Sequence, residues 1–196
     1  MRARRLSGQG INAMTDNPET RVFRVVARPG ERVGSVSWLG GGERACSLGR
    51  SGVVPAQDKR EGDGASPLGK WVLRSVFYRP DREAPPRTGL PLVPLRPQDG
   101  WCDDPASALY NRPVSLPFAR SFERLWREDG LYDLCVVLGH NDEPPVAGMG
   151  SAIFLHLRAP DGGATEGCVA LARGDLLELL ALARPGDRMA IALQEG

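Results

Sequence analysis

The chain has 196 residues, with 25 lysines and arginines against 24 aspartates and glutamates. A formal charge of +1 gives no field for steering nucleic acid or an anionic membrane. The densest apolar runs, 134–138 and 176–183, fall far short of the ~20 residues that cross a bilayer, so no stable membrane insertion is expected. Gly 24 and Pro 17 make up about a fifth of the chain, which favours turns and short strands over a helical bundle.

Residues 1–20 are polar, small and aperiodic and read as a disordered leader. No apolar segment follows the basic Met1–Arg5, so no export signal is legible. From Arg21 the chain reads as a strand meander: 22–26, 34–39 and 44–48, each bounded by glycine or proline. Residues 59–69 form a turn-rich loop, and 70–78 read as a longer strand. Five prolines between Pro80 and Pro94 forbid regular pairing over that stretch. The aromatic and polar loop around Trp101–Pro105 and Tyr110–Pro113 reads as a substrate-side loop. In 119–127, Phe122, Leu125 and Trp126 at i, i+3, i+4 predict a short helix with its charges in water. The charges of Arg127, Glu128 and Asp129 read as its solvated end. Strands are expected at 132–138, central because nearly continuously apolar, and at 150–156. A helix over 175–183 and a strand over 188–193 close the chain. The expectation is one mainly β domain over 21–196, with two short helices and a single hydrophobic core.

Four cysteines, Cys46, Cys102, Cys135 and Cys168, are widely spaced with no C-x-x-C pair, which argues against a zinc ribbon, an iron–sulfur site or a thioredoxin motif. Cys46, Cys102 and Cys135 read as structural. The two histidines are His140 and His156. His140 has Asp142 and Glu143 nearby, but no third and fourth ligand is visible, so neither a metal nor a cofactor is expected. His156 ends a strand, and Cys168 follows after a proline and paired glycines that can fold the chain back. A thiol is mostly protonated at neutral pH, and an adjacent imidazole can take its proton. Gly167 lets the backbone come close to a substrate, and N–H groups near Cys168 can stabilise an oxyanion. The plainer alternative makes Cys168 a small buried hydrophobe and His156 a satisfied strand-end residue.

Three segments together resemble the L,D-transpeptidase (YkuD) family. They are His156 followed by Thr165-Glu-Gly-Cys168, the earlier turn Gly62-Asp-Gly-Ala-Ser-Pro-Leu-Gly69, and Trp101-Cys-Asp-Asp-Pro105 with Tyr110-Asn111. The last is similar to the loop of the family's compact proteobacterial branch. The resemblance spans roughly residues 45–185 and implies a β-sandwich or barrel of mixed sheets. It implies that Cys168 is the nucleophile and His156 its base, with Thr165 and Gly167 shaping the loop that presents the thiol. Glu166 stands where classical members carry histidine, and Ala170 where they carry arginine or asparagine. The implied reaction is acyl transfer between peptidoglycan stem peptides, donor and acceptor, by a monomer in the periplasm or cell envelope. Trp101, Tyr110 and Asn111 are candidates to line a sugar-peptide groove, or else form a local packing cluster. Lys59 and Arg74 are candidates to meet stem carboxylates, or else are solvated charges. The rival readings are a Cys-His peptide hydrolase and a non-catalytic wall-binding module.

Overall fold

A computed structural model describes residues 20–194; the 1–20 leader falls, but for its last residue, outside them. Thirteen strands and one helix follow in chain order: β1 Val22–Ala27, β2 Val33–Trp38, β3 Gly42–Ser47, β4 Val53–Pro55, β5 Ser66–Tyr78, β6 Leu92–Pro94, β7 Asp99–Cys102, β8 Pro113–Ser115, β9 Phe122–Arg124, β10 Leu134–Leu138, β11 Phe154–Leu157, β12 Val169–Leu171, α1 Arg173–Leu182 and β13 Arg188–Leu193. A single 3-10 turn covers Ala56–Asp58.

The pairing order runs β10–β11–β12–β3–β2–β1–β13–β5, and β5 returns to β10, which closes eight strands into a barrel-like sheet. Closure leaves these eight no free edge between them. The long β5 makes it possible, because Gly69–Val72 pair with β13 while Leu73–Tyr78 pair with β10. A separate antiparallel sheet, β8–β7–β9, packs outside.

Alternation sets what faces inward. Phe23, Val25 and Ala27 of β1, Leu134, Val136 and Leu138 of β10, Leu155 and Leu157 of β11, and Val169 and Leu171 of β12 all join one core cluster, with Leu176, Leu179 and Leu180 of α1. Each such side chain contributes roughly 1.5–3 kcal/mol of transfer free energy. The opposite face of β10–β12 carries Cys135, Val137, Phe154 and Cys168. It is covered by Phe77, Leu95, Trp101, Leu125 and Tyr132 in a second cluster. β10 is therefore buried on both faces, which is why it reads as an unbroken apolar run.

The mainly β fold agrees with the sequence reading, but three details differ. The predicted helix at 119–127 is strand β9 and its flanks. Its three apolar residues go to separate places: Phe122 packs edge-on to Phe118, Leu125 enters the second cluster, and Trp126 lies beneath the Arg79 guanidinium, 3.6 Å from its ring centroid. Gly100 and Cys102 of β7 take up its backbone in register with Arg124 and Phe122. The proline-rich stretch does pair at its end, because Pro91 supplies only a carbonyl, to Val76 N–H, and β6 then runs parallel to β5 at the outer edge. There are also two core clusters in place of one, back to back across β10–β12.

Candidate active site

The parallel pairing of β11 with β12 sets His156 beside Ala170. Side chains alternate, so Phe154, His156, Cys168 and Ala170 share the face turned away from the barrel core. Cys168 and His156 both line a cleft of about 630 Å³, together with Lys59, Glu61, Asp103, Glu123, Arg127 and Tyr132. Its volume is that of an ordinary small-ligand site.

The loop that presents Cys168 is held by hydroxyls. Thr165 Oγ1 donates to the Cys168 carbonyl at 2.7 Å and accepts Gly167 N–H at 3.2 Å; Ser66 Oγ donates to the same carbonyl at 3.2 Å. Asp63 organises the turn before Ser66, accepting from Lys59 Nζ at 2.5 Å and from the N–H groups of Ala65 and Arg60. Burial alone raises the Asp63 pKa, but those donors outweigh it and hold the carboxyl below its usual range. Thus the Gly-Asp-x-x-Ser-Pro turn and the Thr-x-Gly-Cys turn are two halves of one device. At Gly167, φ is +135° and an added Cβ would sit 2.9 Å from the Ala65 carbonyl oxygen, so only glycine fits between the two turns. The Gly167 N–H is engaged by Thr165 Oγ1.

The thiol is clasped by the segment that leads into the neighbouring β11. Cys168 Sγ donates to the Ala152 carbonyl at 3.2 Å and accepts Phe154 N–H at 3.3 Å. Ala152 adopts a left-handed φ of +52°, a conformation an alanine holds only when its surroundings impose it. Asn111 imposes it. Its Oδ1 accepts Ala152 N–H at 3.1 Å and Trp101 Nε1–H at 2.8 Å, and its Nδ2 donates to the carbonyls of His140 and Asn141. Replacing Asn111 with alanine is expected to strand these groups and lower stability by roughly 3 kcal/mol, read as a shift of the urea midpoint. A change below about 1 kcal/mol would show that the network is dispensable.

Burial sets the charge states. Burial, and then the Glu123 carboxylate, push the Cys168 thiol up to about 12, against the smaller opposing effects of Phe154 N–H, Lys59 and Arg127. Burial likewise pulls His156 down to about 4. At neutral pH the pair is a thiol and a neutral imidazole. His156 Nδ1 lies 2.8 Å from the Leu157 carbonyl, so the neutral ring donates there and leaves the Nε2 lone pair to accept a proton. Tyr132 packs edge-on against both His156 and Phe154, fixing the imidazole plane.

Over residues 13–191 the sequence matches the YkuD family, L,D-transpeptidase catalytic domain. The chain belongs to the YkuD family. No curated protein and no solved structure matched it. As a YkuD domain it has L,D-transpeptidase-type catalytic activity on peptidoglycan.

Within this YkuD domain the expected nucleophile, base, threonine and glycine lie together, but the expected substrate-binding residues divide. Lys59 does line the cleft, though buried and ion-paired to Asp63 instead of solvated. Arg74 does not. It lines a second cleft of about 450 Å³ and pairs with Asp142 at 2.8 Å and Glu143 at 3.2 Å. Trp101, Tyr110 and Asn111 are buried and do not line the Cys168 cleft, while Trp101 and Asn111 border the second cleft with Arg74. Trp101 packs edge-on against Phe154, and Tyr110 donates to Glu61. His140 is committed to the Met149 carbonyl at 2.9 Å and to the edge of Trp71. Glu166, paired with Arg50, is exposed at the cleft rim.

Three cleft residues escaped the sequence reading: Glu123, Arg127 and Tyr132. Tyr132 donates its hydroxyl to Glu123, Arg127 lies 3.7 Å from Glu123, and its guanidinium sits 5.0 Å from the Tyr132 ring centroid. The first two were assigned to the wet side of a helix that does not exist.

Proposed function

We propose that this protein is a cysteine acyl transferase that joins peptidoglycan stem peptides through a thioester on Cys168. The observation that carries this reading is the placement of Cys168 and His156 on one face of adjacent strands in the cleft of a YkuD domain. His156 Nε2 takes the thiol proton as Sγ attacks the carbonyl of an L-centre in the donor stem. The proton then passes to the departing amine of the downstream D-residue. A second stem supplies an amine, which attacks the thioester and returns the thiol. For the first proton transfer the thiol proton leaves the Ala152 carbonyl for His156 Nε2 as Sγ attacks. The substrate puts this work in the cell envelope, on the periplasmic side.

Incubation with disaccharide-tetrapeptide fragments, followed by mass spectrometry of the products, tests the reading. Cross-linked dimers are expected, and fragmentation names the donor bond. Shortened monomers alone, with or without an added amine, would make water the acceptor and the protein a hydrolase. No product from fragments or whole sacculi would leave a wall-binding module.

A further inference from the structure

We propose that Glu123 and Asp103 bind the protonated amine of the acceptor and that Glu123 removes its proton, so that the amine can attack the Cys168 thioester. The inference rests on the acyl-transfer reading above and concerns its second half-reaction.

The small outer sheet brings the two carboxylates together. Trp101 of β7 stands opposite Glu123 of β9, and the ladder continues past β7 with Asp103 N–H on the Ser121 carbonyl at 3.4 Å. Asp103 and Glu123 are thus diagonal neighbours on one face of that sheet. Both line the Cys168 cleft. Each carries unused accepting capacity. Asp103 Oδ1 is buried without a hydrogen-bond partner among the described residues, which is costly unless a donor arrives. Glu123 receives the Tyr132 hydroxyl on Oε1 alone. Arg127 pairs with it only at long range, since that guanidinium lies 2.5 Å from Asp129 and 3.7 Å from Glu123. Burial raises the Glu123 pKa, and Asp103 and Glu61 add to this while Tyr132 and Arg127 oppose it. A carboxylate so placed is a stronger base than a free one, and a cation relieves its neighbours.

The chemistry of the step requires such a group. A lysine-like amine has a pKa near ~10.4 and arrives at neutral pH as an ammonium with no lone pair. One N–H proton passes to Glu123 and on to water. The freed lone pair forms the N–C bond at the thioester carbonyl, and His156 Nε2 takes a second N–H proton. The C–S bond then breaks with its electron pair on sulfur, and His156 returns that proton to Cys168. The sum is an ammonium and a thioester giving an amide, a thiol and one proton. Water, the competing acceptor, has no ammonium proton to lose.

The test is the ratio of aminolysis to hydrolysis from pH 6 to 11, with a disaccharide-tetrapeptide donor and Nα-acetyl-lysine as acceptor, in wild type, Glu123→Gln and Asp103→Asn. Taking the ratio within each reaction cancels any change in adduct formation. At pH 7 the ratio is expected to fall at least about tenfold in Glu123→Gln. A smaller fall is expected in Asp103→Asn, with both variants approaching wild type where the amine is already free. Either variant is informative if the other fails to fold. A ratio that does not change, or that falls equally at every pH, overturns the subsite alone. Absence of a Cys168 adduct in the wild type overturns the acyl-transfer reading and the subsite with it.

Discussion

Cys168→Ala is expected to abolish cross-linked and shortened products alike, a loss of at least about 10,000-fold, while the protein stays folded. No other group in the cleft can take over. Cys135, on the same face, is buried and pushed far above its normal pKa by burial and by Cys168 itself. Cys46 and Cys102 are buried away from the cleft lining. The structural cost is small because the thiol fills little volume and the Cys168 carbonyl keeps its bonds to Thr165 and Ser66. About 1 kcal/mol is expected from the lost contacts. Product analysis alongside thermal unfolding separates the two effects. Product formation by a folded Cys168→Ala protein would place the nucleophile elsewhere.

His156→Gln is expected to slow adduct formation by about 100-fold to 10,000-fold with Cys168 still in place. The variant keeps a polar side chain of similar reach but offers no lone pair comparable in basicity to Nε2. Wild-type adduct formation is expected to hold level through neutral pH and to fall as pH drops toward about 4, where the imidazole becomes protonated. The same ionisation affects folding. The folded-state pKa lies below the unfolded value of 6.5, so between the two the unfolded chain binds more protons. Stability from this residue is therefore complete above about pH 6.5 and lost as pH falls to about 4, a change of roughly 3 kcal/mol. Both acid effects should disappear in the glutamine variant. A wild-type adduct rate that rises on acidification would contradict the neutral-imidazole base.

What could be read from the sequence depended on whether one stretch of chain decided the outcome. Phe23, Val25 and Ala27 alternate because one face of β1 meets the core, and that alternation is visible in the residues themselves. Residues 134–138 read as central because β10 is covered on both sides. β9 was illegible because it exists only through its pairing with β7, some twenty residues earlier, and its i, i+3, i+4 apolar pattern fits a helix equally well. At the site, Cys168 and His156 stood out as a pair in a chain with two histidines, Thr165 and Gly167 followed from the family resemblance, and the structure supplies the reason for the Ser66 turn as well. Asn111 reads from the sequence either as a groove residue or as part of a packing cluster. An amide among aromatics looks the same in sequence whether it meets a sugar or holds Ala152 in a left-handed conformation. Glu123 and Arg127 were missed for the same reason as β9, since assigning the wrong element pointed their charges at water.

The most direct test of cysteine acyl transfer is the intact mass of the wild-type protein, quenched in acid during turnover of a disaccharide-tetrapeptide and then mapped by peptide fragmentation. An added mass equal to the donor acyl group, located on Cys168 and removed when an amine acceptor is supplied, is the expected result. Product accumulating with no adduct at any time of quenching, or an adduct located on another residue, would contradict a thioester at Cys168.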